Sequence, residues 1–288
     1  MPDAPPKERQ QLSQPRAPAT DPSAGARRIA AHLYKISHQH FFRSFEDWLA
    51  LAINAFLRDE EAYMAIMRRY GPRTAPMGEK DHPADHFAKA LGAWMVAMQA
   101  EPTDYLGITY EQEAVANSYS GQFFTPESVT ELMAQLTMPD ALPDNALVCD
   151  PACGSGRTLI AGIRRNRSAT FLGTDTDLMC VHMTALNCLV RNANTYVIHG
   201  NSLSLETHGG YYVRRTALGG ELHRLSREQT DALIRLPFAA SDPQSGTALA
   251  TPAPAPTVSE PAAEARAALD DITKPFATDK RGQGEFGF

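Results

Sequence analysis

The sequence has no apolar run near the roughly 18 residues that span a bilayer, and its first thirty residues show no charged start followed by an apolar block. Neither a membrane protein nor a secreted one is expected, and a cytoplasmic setting is. Cysteine is scarce, with 4 in 288 residues. That is too few for a disulfide scaffold and in keeping with free thiols. Cys149 and Cys153 sit on either side of a strand-to-turn junction with no second pair at suitable spacing, so no zinc site is expected. Positive charge is also short. The 27 Lys and Arg against 33 Asp and Glu leave a net charge of -6, the reverse of a free-standing nucleic-acid binder, whose phosphate contacts rest on Lys and Arg. Any meeting with DNA is expected to use a local patch or a partner. No internal repeat is present.

What is there falls into four stretches. Residues 1–27 are rich in Pro, Ala, Gln and Ser without apolar period, and residues 241–288 open with a Pro, Ala and Thr tail. Such segments bury too little apolar surface to offset their ordering entropy and are read as disordered or low in complexity. Between them, 28–117 reads as a helical domain. Phe41, Phe45, Trp48, Leu49, Ala52, Ile53 and Phe56 recur at three- and four-residue steps, as do Tyr63, Ile66, Met67 and Tyr70 up to the Gly71-Pro72 break. Phe87, Leu91, Trp94, Met95 and Met98 form a third stripe. These stripes are read as core packing.

Residues 118–240 change character. After a short helix over Ser128–Leu136, the apolar run Ala146–Cys149 leads into Asp150-Pro151-Ala152-Cys153-Gly154-Ser155-Gly156, then a helix from Arg157. A second strand at Ala169–Gly173 ends in Thr174-Asp175-Thr176-Asp177, a helix covers Leu178–Arg191, and a third strand at Tyr196–His199 leads into Gly200-Asn201. Short strands alternating with helices predict an α/β, Rossmann-like parallel sheet. In such sheets ligands sit at the carboxyl ends of the strands. Gly154 and Gly156 permit a tight turn there. Asp175, about twenty-five residues beyond Asp150, stands where a carboxylate accepts ribose hydroxyls, so the ligand is read as a nucleoside. Gly156 is followed by Arg157-Thr158 rather than the Lys of a P-loop, and Leu159 stands where a dinucleotide turn needs its third Gly. A carboxylate beside the turn suits a nucleoside joined to an amino acid. S-adenosylmethionine fits that description.

Together, Gly121-Gln122-Phe123-Phe124-Thr125-Pro126, Asp150 to Gly156 and Gly173-Thr174-Asp175-Thr176-Asp177 resemble the adenine-specific DNA methyltransferases, and within them the modification subunits of type I restriction systems. The resemblance covers about residues 104–205 and implies an S-adenosylmethionine-dependent fold behind a helical domain. It also implies methylation of the exocyclic amine of adenine in DNA, with a specificity or catalytic partner subunit. By the same resemblance Thr125 and Pro126 lie against the methionine end of the cofactor. Asp150, Ala152, Gly154 and Gly156 cradle its amino acid part, Asp175 holds the ribose, and Asn201 contacts the adenine ring. Asp177 is either a neighbour of that site or a helix N-cap, and Phe123 and Phe124 are either site or core.

The sequence departs from the family in two ways. The catalytic Asn/Asp-Pro-Pro-aromatic motif, which holds a flipped adenine, is not found after Asn201. Its nearest match, Arg235-Leu236-Pro237-Phe238, offers no side-chain acceptor at Leu236, so no catalytic residue is assigned. The sheet is also short. Residues 206–240 have room for a strand at Tyr211–Val213 or a helix near Arg227–Leu236. The outer edge of the first strand is expected to be filled by that segment, a second copy or another chain. The alternative function is therefore a catalytically silent binding or regulatory module. Arg214, Arg215, Arg224, Arg227 and Arg235, interleaved with His208, Tyr211, Tyr212 and His223, are the candidate phosphate contacts, with a solvated Arg-rich face as the alternative. Gln283 to Phe288 resembles the peptides that dock on the replicative sliding clamp.

Overall fold

The computed structural model describes residues 21–37, 40–74, 81–116, 123–139, 142 and 146–239. Five helices come first: α1 (Pro22–Tyr34), α2 (Phe41–Leu57), α3 (Glu60–Met67), α4 (Pro83–Ala100) and α5 (Tyr105–Ala116). Helical structure thus starts at Pro22, where Asp21 caps the first turn by accepting the Ser23 N–H at 3.0 Å. The α2 stripe is buried as its period demands: Phe41, Phe45, Trp48, Leu49, Ala52 and Ile53 all face inward, and Phe56 alone is exposed. In α4, Phe87 and Trp94 are buried while Met95 lies open to solvent. Trp48 and Trp94 meet edge to face at 6.4 Å between ring centres, a contact worth about 1 kcal/mol beyond the area it buries.

After α6 (Glu127–Thr137) the chain alternates: β1 (Leu147–Asp150), α7 (Arg157–Arg165), β2 (Thr170–Asp175), α8 (Leu178–Val190) and β3 (Thr195–Asn201). It then turns back through β4 (Glu206–Thr216) and β5 (Gly219–Arg224), and closes with α9 (Arg227–Leu233) and α10 (Leu236–Ala239). The five strands lie in the order β1-β2-β3-β4-β5. The first three are parallel, as expected, and β4 and β5 are antiparallel additions on the far side of β3. Residues 206–240 therefore supply both the strand and the helix that the sequence left room for, but not beside β1. A short tight connection forces this outcome. Only four residues separate β3 from β4, so the chain reverses against its own strand.

Alternation sorts the side chains by face. Phe171, Val197, Tyr211, Val213 and Leu222 join the helices α1–α5, α7 and α8 in one continuous core. Leu172, Tyr196, Ile198 and Tyr212 face the other way, under Leu225, Leu233, Ile234 and Leu236. The Leu236-Pro237 segment is thus part of the cover over the sheet, and Leu236 is buried. That position gives it no place at a strand end.

Candidate functional site

A cavity of about 440 Å³ opens at the carboxyl ends of β1, β2 and β3, where a parallel sheet offers a ligand site. Its walls are the segment 123–125, the turn 151–155 with Arg157 and Thr158, the β2 end at Asp175 and Thr176, and the β3 end at Asn201, Ser202 and Leu203. Five of the residues predicted from the sequence line it: Thr125, Ala152, Gly154, Asp175 and Asn201. The other three stand behind the wall. Asp150 accepts the Ala152 N–H at 3.1 Å and so shapes the turn. Pro126 is the N-cap residue of α6. Gly156 is the N-cap residue of α7 at φ +89° and backs onto Thr184.

The turn needs its glycines. Gly154 has φ +54°, and a Cβ there would meet the Phe124 ring at 2.7 Å. Asp175 is tied to the same turn. One carboxylate oxygen accepts the Gly154 N–H at 2.8 Å and the other the Asp177 N–H at 2.9 Å. Burial raises the Asp175 pKa, and those two N–H groups counter it in part. Each oxygen keeps a lone pair for a ligand hydroxyl. The Asn201 side-chain oxygen accepts from Leu203 and Ser204, at 2.9 and 3.2 Å, and bends the wall at that point.

Several residues around the pocket were not legible as such. Asp104 is buried, 51 positions before Ser155, and accepts its hydroxyl at 2.6 Å. Glu111 accepts the Phe124 N–H at 2.8 Å. Asn187 donates to the Ser155 carbonyl at 2.9 Å, and Thr184 to that of Gly154 at 2.8 Å. The sequence signal for Thr184 and Asn187 was polar residues on an otherwise apolar helix, and Asp104, which precedes α5, gave none. Asp177 caps α8, accepting the Met179 N–H at 2.8 Å. Phe123 is 78% exposed on the pocket rim, while Phe124 is partly buried against Tyr110.

The Arg-rich segment lies on the hairpin and beyond, away from the pocket. Tyr211 and Tyr212 are each 7% exposed, and Tyr212 stacks on Tyr196 at 4.5 Å. They belong to the core and present no ring to a nucleic acid. Arg214 pairs with Glu221, and Arg224 with Asp59. Cys149 is exposed and Cys153 buried, so their thiols occupy different environments. Gly121-Gln122 and the Gln283 to Phe288 peptide lie outside the described residues.

Fold and pocket together define an α/β domain whose first three strands form a Rossmann-like parallel sheet, preceded by helices. Residues 102–234 match the model of the N-6 DNA methylase family. A solved structure, the type I restriction-modification system methyltransferase subunit from Streptococcus thermophilus, is similar over 60% of this chain and 56% of that one, with 13% identity and a TM-score of 0.31. The similarity thus spans a little more than half the length of that subunit. No curated protein matches the chain. No described helix is long and apolar enough to cross a membrane.

Proposed function

We propose that this chain binds S-adenosylmethionine in the pocket at the ends of β1, β2 and β3, as the cofactor-holding part of an adenine-specific DNA methylation system. The observation that carries the reading is the joining of Asp175 to the Gly154 turn around a cavity of about 440 Å³, within the usual range for a small-molecule site. The residues suit the compound. Gly154 lets backbone approach closely, Asp175 offers acceptors for ribose hydroxyls, and Thr125 and Asn201 line the opposing walls. Asp150 adds a second carboxylate behind the turn. When bound, S-adenosylmethionine supplies an electrophilic methyl group.

What the chain does with that group depends on contacts to a base. Among the described residues no strand pairs with the outer side of β1, where the family carries its catalytic Asn/Asp-Pro-Pro-aromatic motif. Methylation of the exocyclic amine of adenine is therefore proposed to need a partner that brings the base-holding groups and DNA contacts. The same observation favours the second reading, a silent module that keeps the cofactor and lacks the base site. Calorimetric titration with S-adenosylmethionine tests the shared premise: binding by the wild type and at least tenfold loss in Asp175→Ala are expected, since a removed hydroxyl-to-carboxylate contact costs about 1.5–3 kcal/mol. No binding by the wild type would end both readings. Transfer of labelled methyl to DNA by the purified chain separates them. Activity without a partner would refute the need for one.

A further inference from the structure

We propose that Asp104, Glu111 and Arg157 form one latch that sets two walls of the pocket relative to each other, so that the helical block tunes cofactor affinity. The inference rests on the S-adenosylmethionine reading above and names the residues that position its site.

One wall is the turn 153–155. Asp104 holds it from outside: one carboxylate oxygen accepts the Ser155 hydroxyl at 2.6 Å, and the other accepts the Asn187 side-chain amide at 2.8 Å. That amide also donates to the Ser155 carbonyl at 2.9 Å. The second wall is the segment 123–125. Glu111 holds it through the Phe124 N–H at 2.8 Å. Arg157 joins the two carboxylates. Its Nε donates to Asp104 at 2.8 Å and its Nη2 to Glu111 at 2.6 Å. Its Nη1 also reaches the Thr125 carbonyl at 3.4 Å, and its guanidinium carbon lies 5.5 Å from the centre of the Phe124 ring.

The spacing explains why one helix addresses both walls. Asp104 immediately precedes α5 and Glu111 lies within it, so they stand two turns apart on one face. Only a planar fork with several fixed donors meets both at once, which suits Arg and not Lys. The arrangement is largely buried: the Arg157 side chain is 11% exposed, that of Asp104 5% and that of Glu111 24%. Burial works against the Arg157 charge, but the two carboxylates outweigh it and leave its pKa raised. Neither Asp104 nor Glu111 lines the cavity. They act through Ser155, Phe124 and Arg157, and are positioning residues.

The test is calorimetric titration of S-adenosylmethionine into the full chain, alongside Asp104→Asn, Glu111→Gln, the double variant and Asp47→Asn. Each single latch variant is expected to weaken binding about tenfold. The double variant should weaken it by less than the product of the singles, as coupled groups do. Asp47 is the control for a purely structural effect. It is a buried carboxylate that holds Tyr70 at 2.6 Å and Arg69 at 2.8 Å and lines no part of the pocket. Asp47→Asn should lower the melting temperature and leave affinity unchanged. A readout without ligand is amide exchange, where the Phe124 N–H should exchange faster in Glu111→Gln in a chain that keeps its fold. Unchanged affinity in both single variants of a binding wild type would overturn the latch and spare the cofactor reading. Affinity falling equally in Asp47→Asn would overturn it too. A wild type that does not bind would instead remove the reading beneath it.

Discussion

The two outer strands of the sheet are finished in opposite ways. At β5, α2 packs against the strand. Leu222 sits in the shared core, and Arg224 crosses to the Asn54 side chain and to Asp59, both at 3.0 Å. At β1, no described strand lies alongside and Cys149 is exposed. Thr170 donates to the Ala146 carbonyl, so by alternation the backbone groups of Leu147 and Cys149 point outward. Beside them, α6 rests on α7 through Ala134 and Met138 against Ala161, over Val148. Its opposite face carries Val129, Leu132, Met133 and Leu136, all exposed. Steps of three, one and three along a helix make the stripe that normally faces a core. Among the described residues, then, β1 has neither a strand nor a long helix such as α2 reaching across to it, and α6 nearby keeps an apolar stripe exposed.

The contrast is open to attack by mutation. Leu222→Ala, on the finished side, should cost about 2–5 kcal/mol of stability in urea unfolding. Leu136→Ala, at 77% exposure, should change it by less than about 0.5 kcal/mol. Equal losses would erase the distinction.

Acid should also act on the finished side. His182, behind β4, has its pKa pushed down to about 4 from 6.5, by burial first and then by His199 and Arg224, and its Nε2 lies 3.1 Å from the Tyr211 hydroxyl. The unfolded chain takes up this proton near pH 6.5, and the folded chain resists until about pH 4. The contribution is therefore whole above pH 6.5 and is lost as the pH falls toward 4, by about 3 kcal/mol. His182→Gln should flatten the slope of unfolding free energy between those values. An identical slope would show that the ring is already protonated in the fold.

The smallest effect belongs to the open side. Leu132→Asp should leave stability within about 0.5 kcal/mol and raise solubility in the isolated chain. A large loss of stability would mean the stripe is already covered.

The elements around the pocket were readable because their signals are local. A short apolar run, two glycines and an acidic strand end lie within a few residues of one another, and the structure places Gly154 and Asp175 in contact. Helix stripes were readable for the same reason, with Trp48 and Phe45 buried as their spacing required. What stayed hidden was long in range. Nothing near Asp104 announces Ser155 or Asn187, because each partner is a single polar residue far along the chain. The antiparallel placement of β4 was hidden too, since its apolar alternation fits either edge of the sheet and only the brevity of the preceding turn decides between them. Tyr211 and Tyr212 were open to a surface reading because aromatic residues beside arginines fit a phosphate-binding face as well as a core.

Among the described residues no strand pairs with the outer side of β1, and this has a practical consequence for handling the molecule. Backbone donors and acceptors at Leu147 and Cys149 that no described strand takes up form a template for stray chains, and the four exposed apolar side chains of α6 add sticky surface. Purified alone and concentrated, the protein should clump through this edge before it unfolds.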